Sequence, residues 1–260
     1  MKTIILCGGE GTRLKEETEY KPKPMVEIGG RPVLWHIMKM YAHFGFKEFI
    51  LALGFKGNII RDYFLNYKFY NSDFTIILGK HKEVEVHSNS REAGWKITLV
   101  ETGVNAMTGS RIKQCEKYIK EDNFMVTYGD GLADINIKEL VRFHVAHKKI
   151  GTLTGVNMPS RFGELVISNK QVTRFLEKSK LKSRYGNING GFMIFRREFL
   201  DYLSNDSKCV LEKHPLETLA RKKQLMAYHH NGYWQCMDTY RDYLLLQEMW
   251  NSGNPPWQFK

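Results

Sequence analysis

The chain has 260 residues, of which 42% are hydrophobic and 26% charged, and its 39 lysines and arginines against 28 aspartates and glutamates give a net charge of +11. This balance is that of a globular protein, and no apolar run reaches the roughly 18 residues that a membrane-spanning helix needs. The positive excess suits a phosphate-rich partner. No basic run of five or more occurs, so the charge does not indicate a polynucleotide-binding stripe.

The first apolar stretch, Thr3–Cys7, meets glycines at once and is too short for the apolar region of a signal peptide. The four cysteines lie far apart and form no C-x-x-C pair, which argues against a zinc ribbon or a redox motif. We therefore expect a cytosolic protein with reduced thiols.

Strands and helices alternate along the first 150 residues. Buried apolar runs predict strands at residues 3–7, 49–53, 74–78, 96–100 and 124–128. Apolar residues at helical spacing predict helices at residues 32–44, 57–67, 111–119 and 135–147. This alternation predicts a Rossmann-like α/β fold: an open, mostly parallel sheet with helices on both faces. Such sheets bind ligands beyond the carboxyl ends of their strands, which places residues 7–25 and 129–134 at the expected site.

The pattern changes after residue 151. Shorter, hairpin-like strands are predicted at residues 166–167, 172–177 and 188–195, and helices at residues 215–221 and 240–250. No linker rich in proline, glycine and serine interrupts the chain, so we expect residues 1–260 to form a single domain. The later part would be a small β-rich elaboration of the same sheet. The two prolines of the tail, residues 253–257, exclude a helix there, and this tail is a candidate subunit contact.

A glycine-rich turn, G-G-E-G-T-R at residues 8–13, follows the first strand directly. It lacks the spacing of a P-loop, and Leu14 stands where a dinucleotide fingerprint needs a small residue, which disfavours a dehydrogenase. Glycines let the backbone approach a ligand and point N–H groups at it. Arg13 adds a forked donor suited to phosphate oxygens. The pattern therefore indicates a phosphate cradle, with a plain tight turn as the alternative.

Three further residues are candidates for the same chemistry. Lys23 lies between two prolines, which keep its segment extended and stiff and give its amino group a fixed position. Asp130 lies between two glycines after the strand at residues 124–128, and Asp238 precedes the last helix. The alternatives are an exposed lysine, a turn aspartate and a helix-capping acid.

Six motifs in order carry a resemblance to a known family. They are L-C-G-G-E-G-T-R-L (6–14), K-P-K-P-M-V-E-I-G-G-R-P-V-L (21–34), Y-G-D-G (128–131), F-L-E-K (175–178), N-I-N-G-G-F (187–192) and W-Q-C-M-D-T (234–239). The chain resembles the sugar-1-phosphate nucleotidylyltransferases over nearly its whole length. Residues 21–30, W-H-I-M-K at residues 35–39 and the chain length are most similar to the members that use CTP and glucose 1-phosphate.

The resemblance implies a nucleotide-diphospho-sugar transferase-like fold and a transfer reaction. A sugar 1-phosphate oxygen attacks the α-phosphorus of a nucleoside triphosphate, and pyrophosphate leaves. It further implies Mg²⁺ as cofactor, CTP and glucose 1-phosphate as small-molecule substrates, and a homo-oligomer, with neither nucleic acid nor membrane as partner. Residues 1–158 would bind the nucleotide and residues 159–260 the sugar phosphate. In the resembled family the product feeds dideoxysugar synthesis for surface polysaccharides such as the O-antigen.

Catalytic roles follow from the same resemblance. Arg13 would stabilise the leaving pyrophosphate, Lys23 would bind the reacting phosphates, and Asp130 and Asp238 would hold Mg²⁺. The substrate-binding residues that the resemblance implies are Leu6, Gly8, Gly9, Glu10, Gly11, Thr12, Arg111, Gly129, Gly163, Glu177, Lys178, Asn189 and Gly190. The first strand and glycine turn would cradle the nucleotide, Arg111 would contact the cytosine, and the last five would hold the sugar phosphate.

One position departs from the family pattern. Ser179 follows the glutamate–lysine pair where the family usually has proline, which leaves the identity of the sugar open. The alternatives are therefore the same chemistry on another nucleotide or another phosphorylated acceptor, and a nucleotide-binding regulatory protein without turnover. The combination of two cations and two carboxylates favours an enzyme.

Overall fold

A computed structural model describes residues 1–78, 83–87, 92, 94–157, 164–168, 171–176 and 188–259 of the chain. The strands are β1 (Thr3–Cys7), β2 (Glu27–Ile28), β3 (Arg31–Pro32), β4 (Glu48–Leu53), β5 (Phe74–Ile77), β6 (Glu83–Val86), β7 (Lys96–Glu101), β8 (Asn123–Tyr128), β9 (Gly131–Ala133), β10 (Gly151–Val156), β11 (Glu164–Ser168), β12 (Gln171–Leu176), β13 (Ile188–Arg196), β14 (Leu225–His230) and β15 (Trp234–Cys236). The helices are α1 (Lys15–Thr18), α2 (Val33–His43), α3 (Gly57–Leu65), α4 (Tyr67–Tyr70), α5 (Thr108–Gln114), α6 (Ile137–His147), α7 (His214–Arg221) and α8 (Tyr240–Asn251).

Within these residues a seven-stranded sheet forms the centre, in the order β14-β10-β13-β8-β1-β4-β7. β1 pairs in parallel with β4 and β8, β4 with β7, and β10 with β14. β13 runs antiparallel to β8 and β10. The beginning of β13 therefore lies at the same edge as the carboxyl ends of its neighbours, and this edge is where a ligand is expected.

Two apolar cores cover the faces of this sheet. Alternating residues of β1 point to opposite sides, so Ile5 packs in one core and Ile4 in the other. The first core contains buried residues of α2, α6 and α8, and the second those of α5 and α7. Helices on both faces and a mostly parallel sheet confirm the predicted fold class.

The predicted strands at residues 3–7, 49–53, 96–100 and 124–128 all lie in the central sheet. The strand predicted at residues 74–78 exists as β5, but it pairs with β6 in a separate hairpin. Its four residues are exposed. The apolar run therefore predicted a strand correctly, but the prediction that this strand is buried is wrong.

The second half of the chain differs more from the prediction. β11 and β12 form the expected hairpin, whereas β13 belongs to the central sheet rather than to an elaboration. Two strands of that sheet, β10 and β14, were missed. The sequence of β10, G-T-L-T-G-V, contains no continuous apolar run, and that of β14, L-M-A-Y-H-H, has a run of four residues that ends in two histidines.

The carboxy-terminal tail packs on its own chain. Trp257 is 2% exposed and contacts the rings of His36 and Tyr233. The expectation that this tail offers a subunit contact is therefore wrong for Trp257. In the part of the chain described above, none of the helices combines the length and the apolar character needed to cross a membrane.

Candidate active site

A cleft of about 490 Å³ opens at the carboxyl edge of the sheet. Loops that leave β1 and β8, the beginning of β13, and the segment around β15 all contribute to its lining. The predicted site residues that line it are Leu6, Gly8, Gly9, Gly11, Thr12, Arg13, Lys23, Arg111, Gly129, Asp130, Asn189, Gly190 and Asp238. Glu10 is exposed on the same turn, while Gly163, Glu177 and Lys178, with Ser179, lie outside the described residues.

A short strand pair explains how the two aspartates meet. β9 and β15 pair antiparallel, with Gly131 opposite Cys236. The Met237 N–H then donates to the Asp130 carbonyl oxygen at 2.9 Å. This pairing sets Asp130 and Asp238, far apart in sequence, beside each other at the mouth of the cleft.

Lys23 stands between these two carboxylates. Its Nζ lies 2.6 Å from Asp130 Oδ2 and 2.8 Å from Asp238 Oδ1. Burial disfavours the ammonium, but the charge of Asp130 and the hydrogen bonds to both aspartates outweigh burial and raise the pKa of Lys23 above its usual value. The lysine is therefore a permanently charged group aimed into the cleft from a short 3₁₀ turn, Lys23–Met25.

Asp238 is not the cap of the helix that follows it. Thr239 is the N-cap of α8, and Thr239 and Asp242 form a reciprocal capping box. The Asp238 carboxylate is thereby left for Lys23 and for Arg13, whose guanidinium pairs with it. Because Arg13 is 75% exposed in its side chain, this cation can leave the aspartate for a ligand at little energetic cost.

The acidic pair can hold a divalent cation. Ligand atoms of Asp130, Asp238 and Cys236 all lie within 4.8 Å of one another. Burial, and to a smaller extent the charge of Asp130, raise the pKa of the Cys236 thiol far above its usual value, so it is a neutral neighbour. Two carboxylates beside an open cleft match the needs of a hard cation that also takes phosphate oxygens as ligands.

The glycine turn is shaped by close contacts. A Cβ on Gly8 would lie 2.1 Å from the Arg111 guanidinium, and one on Gly129 would lie 2.8 Å from the Leu6 carbonyl oxygen. Gly11 adopts a positive φ of 67°, which favours glycine. Gly8 and Gly129 are thus required for packing, because neither position has room for a side chain.

Arg111 lies deep beneath this turn, at 4% exposure. Its terminal nitrogens donate to the carbonyl oxygens of Gly8, Leu53, Gly103 and Val104 and to the Thr102 hydroxyl, at 2.6–3.1 Å. The side chain thus joins the end of β4 to the loops that follow β1 and β7. A direct contact between Arg111 and a base stays a prediction.

The other end of the cleft is built around β13. The Asn189 Oδ1 accepts from the Gly191 N–H at 3.0 Å, and its Nδ2 donates to the Tyr128 hydroxyl at 3.4 Å. The Trp234 indole N–H donates to the Gly190 carbonyl oxygen at 2.8 Å. These bonds fix the backbone and the carboxamide that were predicted to meet the sugar phosphate.

Several lining residues had no assignment from the sequence. They are Cys7, Pro24, Ala106, Met107, Thr108, Thr127, Tyr128, Gly131, Trp234 and Cys236. Tyr128, Trp234 and Cys236 lie inside motifs that the sequence analysis had identified, so those motifs could have marked them as site residues. Residues 106–108 gave none, because their role depends on a loop that returns to the cleft through long-range contacts.

An open α/β sheet whose carboxyl edge gathers two cations and two carboxylates around a glycine turn is the arrangement of an enzyme that transfers phosphate-bearing groups. The chain belongs to the nucleotidyl transferase family, whose sequence model matches residues 2–250.

Individual relatives are similar over their full length. The chain is 49% identical over 259 residues to a glucose-1-phosphate cytidylyltransferase of Salmonella typhi, covering 99% of both chains. It is 42% identical over 258 residues to a probable glucose-1-phosphate cytidylyltransferase of Bacillus subtilis, again covering 99% of both. Among solved structures, HddC from Yersinia pseudotuberculosis matches with a TM-score of 0.67 at 25% identity, covering 96% of this chain and 99% of that one.

Proposed function

We propose that this protein transfers the cytidylyl group of CTP to α-D-glucose 1-phosphate and releases CDP-glucose and pyrophosphate. The observation that carries the proposal is the Lys23 ammonium held between Asp130 and Asp238 at the mouth of the cleft. This arrangement places a fixed positive charge and two carboxylates beside the glycine turn. The choice of CTP and glucose 1-phosphate is supported by the names of relatives 49% and 42% identical to this chain.

The reaction needs positioning more than acid–base chemistry. An oxygen of the sugar phosphate, already ionised at neutral pH, forms a bond to the α-phosphorus of CTP. The bond from that phosphorus to the bridging oxygen breaks, and pyrophosphate leaves with the electron pair. Lys23 would draw the two reacting phosphates together, and Arg13 would neutralise the pyrophosphate, since the exposed guanidinium is free to exchange Asp238 for it.

Asp130 and Asp238 are proposed to hold Mg²⁺, since two carboxylate oxygens near phosphate ligands suit this ion. The bound ion would neutralise charge on the phosphates. Lys23 pairs with the same two carboxylates, so the ammonium and the ion would share them.

The two ends of the cleft are proposed to have separate tasks. The glycine turn and Arg111, within residues 1–158, would hold the nucleotide. Asn189 and Gly190, with Gly163, Glu177 and Lys178 in residues 159–260, would hold the sugar phosphate. Arg111 bonds at once to the end of β4 and to the loops that follow β1 and β7. We propose that it acts on the base at least partly by fixing the backbone of these segments.

Turnover with different nucleotides tests the proposal. Pyrophosphate release is measured with glucose 1-phosphate, Mg²⁺ and CTP, UTP, dTTP, ATP or GTP. We expect CTP to exceed each of the others by at least about tenfold in kcat/KM, equivalent to ~1.4 kcal/mol. Preference for another nucleotide would refute the cytidylyl assignment but retain the reaction class. No turnover with any of the five would contradict the proposed substrates.

We also propose that the protein is a homo-oligomer, with the β5–β6 hairpin as its contact. Phe74, Ile76, Val84 and Val86 share one face of the hairpin, and the first three are 37–43% exposed. Phe74 contacts the Phe69 ring, but Ile76 and Val84 remain exposed. A two-stranded hairpin is at best marginally stable in water, so this apolar face calls for a partner.

The mass in solution tests this contact. We expect the wild-type protein to sediment as an oligomer and Ile76→Glu to lower its mass, because the charge would be buried in the contact. Val145→Glu, an equally drastic change at an exposed residue of α6, should leave the mass unchanged. A monomeric wild-type protein, or an Ile76→Glu variant of unchanged mass, would contradict the proposed contact.

A further inference from the structure

Glu212 is a carboxylate to which neither the sequence nor the proposed reaction gives a role. Its Oε1 accepts a hydrogen bond from the Tyr128 hydroxyl at 2.5 Å, and its Oε2 accepts one from the Thr108 hydroxyl at 2.7 Å. Both donors line the cleft. Thr108 begins α5, the helix of Arg111, whereas Tyr128 ends β8, two positions before Asp130. One acid thus connects two separate elements of the candidate site.

The chemistry of Glu212 sets the direction of the next hydrogen bond. An ionised carboxylate accepts only, so the Tyr128 hydroxyl must donate to it and offer its own oxygen elsewhere. The Tyr128 oxygen accepts from Asn189 Nδ2 at 3.4 Å.

Asn189 is fixed at both ends as a result. Its Oδ1 is taken by the Gly191 N–H, and one of its two amide hydrogens is directed at Tyr128. The backbone beside it is closely packed, because a Cβ on Gly191 would lie 2.5 Å from the Tyr128 ring. The remaining Asn189 N–H is a donor at the wall of the cleft, and it suits a hydroxyl or phosphate oxygen.

We propose that Glu212 is a positioning residue, which acts through Tyr128 to hold the Asn189 carboxamide with its N–H group toward the sugar phosphate. Through Thr108 it ties this arrangement to the start of α5. The identity of the ligand rests on the proposed function, whereas the relay of hydrogen bonds from Glu212 to Asn189 does not.

Glu212→Gln and Tyr128→Phe, alone and combined, test the relay. A glutamine can donate as well as accept, so it no longer enforces the direction of the bond. We expect each single variant to raise KM for glucose 1-phosphate about tenfold, and the double variant to raise it about tenfold as well, with kcat within about threefold of wild type. Glu217→Gln, at an exposed position of α7, is the matched control. A double variant near 100-fold, or an unchanged KM, would overturn the relay.

A second readout needs no turnover. The side-chain ¹⁵N–¹H resonances of Asn189, assigned by their loss in Asn189→Asp, should shift in Glu212→Gln and stay in place in Glu217→Gln. Unmoved resonances in Glu212→Gln would overturn the relay even if the kinetics agreed. Failure of the wild-type protein to make CDP-glucose would refute the proposed function, and these resonances would still decide the relay.

Discussion

Replacing Lys23 by methionine is expected to lower kcat by about 10²–10³-fold, the loss typical of one preorganised electrostatic stabiliser. Methionine keeps the length and packing of the side chain and removes its charge. The same change should tighten Mg²⁺ binding to the free enzyme about tenfold, because the ammonium no longer neutralises Asp130 and Asp238. Steady-state kinetics and calorimetric titration with Mg²⁺ measure the two effects, which run in opposite directions.

Lys21→Met is the matched control for this experiment. Lys21 lies two positions earlier in the same segment, and its amino group is 3.9 Å from Glu17, so both readouts should stay close to wild type. A Lys23→Met variant that retained kcat would remove the lysine from the reaction. Unchanged or weaker Mg²⁺ binding would show that the ammonium and the ion do not share the aspartates.

The sequence predicted those elements and site residues whose pattern depends on neighbours in the chain. Continuous apolar runs located β1, β4 and β8, and the turn chemistry after β1 located the glycine turn that lines the cleft. Lys23 could be singled out because two prolines fix its backbone. These features depend on neighbours within a few residues, so a single sequence contains them.

Pairing between segments far apart in the chain could not be predicted in this way. β10 and β14 are held by their place in the sheet rather than by their composition. Asp130 and Asp238 are brought together by the β9–β15 pair, and without the family resemblance a turn aspartate and a helix cap were the simpler interpretations. Glu212 gave no sequence signal at all, since both its partners are distant in the chain.

Replacing either aspartate by asparagine should abolish most of the turnover, on the order of 10³-fold, since each is proposed to provide one carboxylate to the cation that neutralises the phosphates. The two variants should differ in a second respect. Asp238 pairs with both Lys23 and Arg13, whereas Asp130 pairs with Lys23. Asp238→Asn therefore frees Arg13 while Lys23 keeps Asp130, whereas in Asp130→Asn both cations keep Asp238. We expect Asp238→Asn to bind pyrophosphate more tightly than Asp130→Asn does.

Thermal unfolding separates this chemistry from misfolding. The capping of α8 by Thr239 and Asp242 does not use the Asp238 side chain, and the Arg13 partner is largely exposed, so Asp238→Asn should unfold within a few degrees of wild type. Asp122→Asn, at an exposed residue before β8, should match wild type in both turnover and unfolding. Retained Mg²⁺-dependent turnover in Asp238→Asn would refute its assignment as a metal ligand. Equal affinity of the two variants for pyrophosphate would refute the role of the Arg13–Asp238 pair, because releasing that guanidinium is the one change that Asp130→Asn does not make.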